Sequence, residues 1–446
     1  MKPIFKPLFL CSSFCMLSQY GHTEINLYQS DDTKIDAVIS LTAGIFHSQK
    51  NYIPTENTKS YHWQEAYLDY GILAEQKLNK FGSLYGKLSF VSAGTFGDGD
   101  AAGFTDGTER GTKIEDAYIG WKSAELFPSL GENGLDISLG RQNICLGDGF
   151  LICTDAPNVG DSPIFGSEFN RNAGGTYYLA GHKSFKDTIL IKLGSDDGLK
   201  ATLATFKSNN AFQAYSKFYA ATLDWNKHLN KLNFTYLHNK SVDQYYAEQV
   251  SPILVHREGM NVYSINGSSP LGLNNTEFAF QYALQDKKQV KNESAWYAQA
   301  KYTFNETKYT PSISYRYLHF SENWDNLFIG AADYGTWFQG EVAYNYSGPF
   351  NSNTKISNIG FNIHPSEKYS FGAQYYHFST LVKQNNPNFN GQELDLYMMW
   401  FPNQKLTIAP LIGIYKPQVS AINGGSQNKD NHTNFYAQLV LSLIHI

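Results

Sequence analysis

The chain has 446 residues and a formal net charge of −5, with 17% charged residues against roughly 25% in ordinary soluble proteins. Aromatic residues make up 15% of it, as 31 Tyr, 30 Phe and 7 Trp, a bias that favours strands over helices. The balance of 35 basic against 40 acidic residues, without a basic cluster, excludes a nucleic-acid binder, and the aromatic content excludes a disordered chain.

Residues 1–20 read as a secretory signal peptide: Lys2 and Lys6 precede an apolar run from Leu8 to Leu17 that is too short to span a bilayer. The remaining chain, 21–446, reads as one exported domain whose only thiols are Cys145 and Cys153. No later run approaches the roughly 18 apolar residues of a transmembrane helix. What the chain shows instead is alternation. Residues 35–45 set Ile35, Ala37, Ile39, Leu41, Ala43 and Ile45 on one face and Asp36, Ser40 and Thr42 on the other. The same period recurs at 277–285, 296–304 and 393–400, where Leu394, Leu396, Met398 and Trp400 oppose Glu393, Asp395 and Tyr397. Alternate side chains of a strand point to opposite faces, so each segment has one apolar and one polar face. Segments of this kind, repeated to the C-terminus between turns rich in Asn, Asp, Gly and Ser, predict a transmembrane antiparallel β-barrel of about 18 strands. A soluble β-sandwich rarely carries one such pattern through a chain this long.

Long connections are expected at 95–112, 143–172, 241–258, 321–335 and 416–431, and tight ones at Pro402-Asn403 and His364–Lys368. Trp63, Trp121, Trp225, Trp400 and Phe401 fall near segment ends, as the girdles at a membrane–water interface do. A barrel of this size leaves a watery lumen. Its polar faces carry Glu65, Asp69, Lys87, Asp116, Lys122, Lys192, Lys301, Arg316, Glu341 and Asp395, and Arg316 is expected to pair with Glu341. Strict alternation through Leu135, Ile137 and Leu139 points Arg141 at lipid, where a charge costs roughly 2–4 kcal/mol; the strand must end near Gly140 or bulge there. The stretch after it, 143–171, is then free to fold into the mouth, and an oxidising compartment allows a Cys145–Cys153 disulfide or leaves two buried thiols. Asp98, Asp100, Asp106 and Glu109 lie in a Gly-rich segment without EF-hand spacing, read as a solvated loop. Motifs of hydrolases, nucleotide-binding loops and zinc enzymes are missing, so neither an enzyme nor a cofactor nor a metal is expected.

Three blocks, Tyr315-Arg316-Tyr317, Trp324 to Gly330 and Gly335 to Glu341, resemble the alginate-export family of outer-membrane barrels, as do Asp116 to Trp121, Leu139 to Gln142 and Arg171 to Ala180. The resemblance implies a monomeric barrel narrowed by inward-folded connections, with Arg141, Arg171 and Arg316 on the family's motifs. The expected function is passive conduction of hydrophilic, anionic solute or exopolysaccharide, along a path lined by Arg141, Arg171, Arg316, Glu341, Lys192, Lys301, Asp116 and Lys87. The expected partners are the lipid and lipopolysaccharide of the outer membrane and the barrel assembly machinery. Two alternatives stand beside it: a selective porin for uptake of small carboxylates or sugars, and a plugged surface barrel with an adhesive or enzymatic role.

Overall fold

The computed structural model describes residues 24–54, 59–166, 169, 174–288, 290–332, 335–427 and 430–444. The expected signal peptide and Arg171 lie outside the described residues. The chain runs through β1 (Glu24–Gln29), β2 (Thr33–Ser48), β3 (Tyr61–Lys77), β4 (Ser83–Gly97), β5 (Arg110–Lys122), β6 (Leu135–Gln142) and β7 (Phe185–Gly194). It continues through β8 (Gly198–Lys207), β9 (Lys217–Lys227), β10 (Asn230–Ser241), β11 (Asn261–Ser269), β12 (Thr276–Asp286), β13 (Glu293–Thr303) and β14 (Ser312–Phe320). After the short pair β15 (Ala331–Ala332) and β16 (Gly335–Thr336) come β17 (Thr354–Ser366), β18 (Tyr369–Thr380), β19 (Gly391–Asn403), β20 (Leu406–Pro417) and β21 (Asn434–Ile444).

From β2 onward, and apart from β15 and β16, each strand pairs antiparallel with the next, and β21 returns to pair with β2 from Ser40↔Ile444 to Ser48↔Tyr436. The result is a closed 18-strand barrel. β1 adds no nineteenth wall position: it pairs with β2 from Glu24↔Val38 to Gln29↔Lys34, along the edge that β21 leaves vacant. Closure satisfies every edge, which a strand structure in lipid requires.

The wall is apolar outside and polar inside, as the alternation predicts. Ile119, Leu139, Ile189, Leu203, Tyr263 and Ile359 are exposed, whereas Thr42, Asp69, Ser138, Thr202, Asn266, Gln281, Asn358 and Gln374 are buried. Trp63 departs from its expected place in an interface girdle: it is fully buried, stacked on Phe46 with ring centroids 5.1 Å apart. Connections at one end are short turns, such as 195–197, 228–229, 367–368 and 404–405. Those at the other end are L1 (49–60), L2 (98–109), L3 (143–184), L4 (208–216), L5 (242–260), L6 (287–292), L7 (321–353), L8 (381–390) and L9 (418–433). Both L3 and L7 enter the barrel, where Phe150, Tyr178, Trp324, Phe328, Trp337 and Tyr346 join the inward rings of the wall strands in one core.

Candidate functional site: the plugged lumen

L3 and L7 are joined to each other before they are joined to the wall. Cys145 and Cys153 form a disulfide, and Leu146 N–H donates to Ile152 O at 2.9 Å across the loop that it closes. Next to this staple Cys153 N–H donates to Phe328 O at 2.7 Å, Phe328 N–H to Leu151 O at 3.0 Å and Gly330 N–H to Gly149 O at 3.0 Å. Buried backbone groups must be paired, and here the two inward loops pair them with each other. Phe150, Tyr297 and Trp337 pack as a ring cluster beneath, with centroids 5.1 Å apart for Phe150–Trp337 and 4.5 Å for Tyr297–Trp337. Asp148 accepts from Tyr297 Oη at 2.7 Å, and its carbonyl accepts Trp337 Nε1–H at 2.7 Å.

The wall holds this plug through carboxylates. Glu65 on β3 accepts the backbone N–H of Tyr178 at 3.2 Å and of Leu179 at 2.9 Å. Glu115 on β5 accepts those of Lys183 and Ser184, both at 2.8 Å, and contacts His182 Nδ1. Glu393 on β19 accepts those of Val342 at 2.6 Å and Ala343 at 2.9 Å, while Asp395 accepts that of Glu341 at 3.2 Å. Gly340 makes the last approach possible: its φ is +85°, and a Cβ there would lie 2.5 Å from Glu393 Oε2.

Strict alternation places Glu115 on the lipid face, and a bulge overturns this. Leu88 pairs with Ala117 but Phe90 with Ile114, so Glu115 and Asp116 together oppose Ser89 and both turn inward. A second irregularity resolves the Arg141 conflict. Gly140 has φ +129° and the register shifts between Gly140 and Gln142. Arg141 thereby comes within electrostatic reach of Lys113, His182 and Asp155 in the interior. One guanidinium nitrogen of Arg141, Nη1, is enclosed without a hydrogen-bond partner among the described residues.

The remaining expected path residues divide into separate groups. Lys87 Nζ lies 2.7 Å from Asp116 and 4.0 Å from Asp69, a buried triad in which the one cation is shared between two carboxylates. Arg316 does not pair with Glu341. It donates to Gln299 Oε1 at 2.7 Å and lies over the Trp337 ring at 4.5 Å. Glu341 instead accepts from Tyr178 Oη at 2.7 Å, which in turn accepts from Gln438 at 2.8 Å, so L7, L3 and β21 meet at one phenol. Burial pushes the Glu341 carboxyl up to about 7; the Tyr178 hydrogen bond opposes this and the neighbouring Glu393 reinforces it. Burial also opposes charge on His182, but Glu115 outweighs it and raises the imidazole pKa. Lys192 lies near the turn end, 3.8 Å from Asp136, and Lys301 lines a separate turn-end cavity of 580 Å³ with Glu277 and His364.

Above the plug, on the loop side, a cavity of 410 Å³ opens between L2, L3, L4, L5 and L7. Its walls are mainly apolar, with rings from Phe104, Tyr177, Phe212, Phe338, Tyr344 and Phe350, and Glu341 is among the polar groups. Arg257 and Asp325, also at its wall, are tied to each other by two hydrogen bonds of 2.7 and 2.6 Å. Asp100 and Glu109 of L2, expected in a solvated loop, are buried and bind backbone N–H groups of their own loop, and Glu109 also that of Asp161. Among the described residues no group of three His, Cys, Asp or Glu side chains is placed to hold a metal ion.

No family model matches this sequence, and no curated protein matches it either; the alginate-export resemblance thus finds no support there. Solved structures share the fold. Pseudomonas aeruginosa OccK7 (OpdD) aligns with a TM-score of 0.57 at 12% identity, over 93% of this chain and 99% of that one. Acinetobacter baumannii OccAB2 aligns at 0.55 and 9% identity, over 91% and 97%, and Pseudomonas aeruginosa OprD at 0.53 and 11%, over 91% and 94%. At such identities the likeness is one of architecture: the chain is similar in fold to outer-membrane porins of the OprD and Occ type.

Proposed function

We propose that this protein is an outer-membrane channel selective for small hydrophilic solutes, small carboxylates foremost and sugars second, and that it is not a conduit for polysaccharide. The observation that carries the reading is the plug. L3 and L7 are bonded to one another by backbone, stapled by a disulfide and fastened to the wall at Glu65, Glu115 and Glu393. Loops so fixed leave between them a cavity of 410 Å³, the size of a small-molecule site. Charge argues for carboxylates: an enclosed guanidinium N–H without a partner costs free energy that an anion relieves, and Arg141 has one on a wall shared with Lys113. The aromatic rings in the walls of the cavity support a sugar ring or the flat face of a cyclic acid.

The test is the reversal potential of the reconstituted channel in a salt gradient, measured with chloride and with small monocarboxylates. The reading expects anion preference that collapses in Arg141→Gln at unchanged barrel content by circular dichroism. Equal cation and anion permeability in both proteins would contradict it.

A further inference from the structure

The outer wall carries a charged patch that the lumen does not explain. Lys186, Lys207 and Lys217 occupy directly paired positions on three consecutive strands, Lys186↔Lys207 between β7 and β8 and Lys207↔Lys217 between β8 and β9. They share the outward face: Phe185, Phe206 and Phe218 beside them are fully buried inside, and Tyr219, two residues from Lys217, and Leu203, four from Lys207, are exposed outside. The next strand adds a fourth cation. Its register shifts between Asn239 and Ser241, so that Lys240 is the extra, exposed residue beside the Ser241↔Lys217 pair. Like charges directly opposite one another destabilise a sheet, and none of the four lysines is in an ion pair among the described residues.

Each lysine of the row stands at the loop-side end of its strand. Short turns mark the periplasmic end of such barrels and long loops the outer end, so the row lies at the level of the outer leaflet's headgroups. It fronts a shallow cavity of 390 Å³ lined by Lys186, Lys207, Ser208, Asn209, Ser241 and Asp243, and also by Tyr215. Asp243 is the one acid among the residues that line it, and its carboxylate caps a helix by accepting Tyr245 N–H at 3.1 Å; a second acid, Asp187, is exposed at the bulge beside Lys186. Directly below the row the exposed side chains are apolar: Ile189, Leu203 and Tyr219. A cationic shelf over an apolar field matches an anionic headgroup above acyl chains.

We propose that this face binds a phosphorylated lipid of the outer leaflet, its phosphate on Lys186, Lys207 and Lys217 and its chains along Ile189 and Leu203. The proposal rests on the membrane-barrel reading and is independent of what the lumen conducts.

Native mass spectrometry of the detergent-purified protein tests it, with bisphosphorylated lipid A, its dephosphorylated form and inorganic phosphate as probes. Each lysine near a charged membrane surface contributes roughly fivefold in affinity, so Lys186→Gln/Lys207→Gln/Lys217→Gln should bind the bisphosphorylated lipid on the order of 100-fold more weakly. Lys207→Gln alone, the centre of the row, should lose about fivefold and serves if the triple variant does not fold. Lys355→Gln, exposed on β17, should bind as the wild type. Equal binding by wild type and triple variant, or equal binding of the dephosphorylated lipid, would overturn the proposal. Displacement by millimolar inorganic phosphate would overturn it in favour of a free-anion site. Channel conductance of the same variants should be unchanged, and its failure in the wild type would count against the solute-channel reading alone.

Discussion

Glu393 shows how a single side chain governs the lumen. Its two oxygens take the N–H groups of Val342 and Ala343, which no other acceptor satisfies. In Glu393→Ala both donors stay buried without partners, at about 1–3 kcal/mol each, and L7 should leave its seat. Limited proteolysis should then cut within 339–347 where the wild type resists, with larger single-channel conductance. Glu341 makes the same loop sensitive to pH. Its carboxyl is raised from an ordinary 4.5 to about 7 by burial and by Glu393, so the folded state holds the proton more tightly than the unfolded chain does. The stabilisation is full below pH 4.5 and is lost as the pH rises through about 7. Conductance noise from L7 should therefore grow between about pH 5 and 8, and Glu341→Gln should flatten that dependence.

Among the elements, the stapled tip of L3 is the part that L7 leans on. The disulfide closes a loop between residues eight apart, worth about 2–3 kcal/mol in such short loops. Reduction, or Cys145→Ser with Cys153→Ser, should leave the barrel folded but release the Cys153–Phe328 pairing, read as faster and noisier current at unchanged strand content. The strands themselves were legible in the sequence, because an alternation of period two needs no partner to be recognised. The residues of β2, β12, β13 and β19 face as their pattern demands, whereas the turn expected at Pro402-Asn403 falls later, at 404–405, with Pro402 and Asn403 still in β19. What alternation conceals is any place where it breaks. The bulge at Glu115-Asp116 turns both carboxylates inward, and the one at Gly140 brings Arg141 inside; each marks the sequence only as a charge that strict alternation puts on the lipid face, Glu115 in the one and Arg141 in the other. Nor does a pattern of faces name partners: Glu65 and Asp395 read as lumen charges, whereas their oxygens hold the backbone of L3 and L7. Trp63 failed as an interface marker for the same reason, since a Trp at a strand end serves the core as readily as the girdle.

At the scale of the whole molecule, the barrel inverts the soluble rule and then fills its own interior. Apolar side chains cover the outside, polar ones and a set of inward rings line the inside, and the two longest loops pack their own rings against those of the wall. The proposed size selection rests on that filling, because a loop pinned at several independent points resists displacement by a passing chain. The most direct test is osmotic swelling of liposomes carrying the protein, with small monocarboxylates, monosaccharides and uronate oligomers of increasing length as solutes. A plugged, small-solute channel predicts rapid swelling with the small acids, slower swelling with single sugars and none with oligomers of several units. Permeation by the long oligomers at rates near those of the small acids would contradict it.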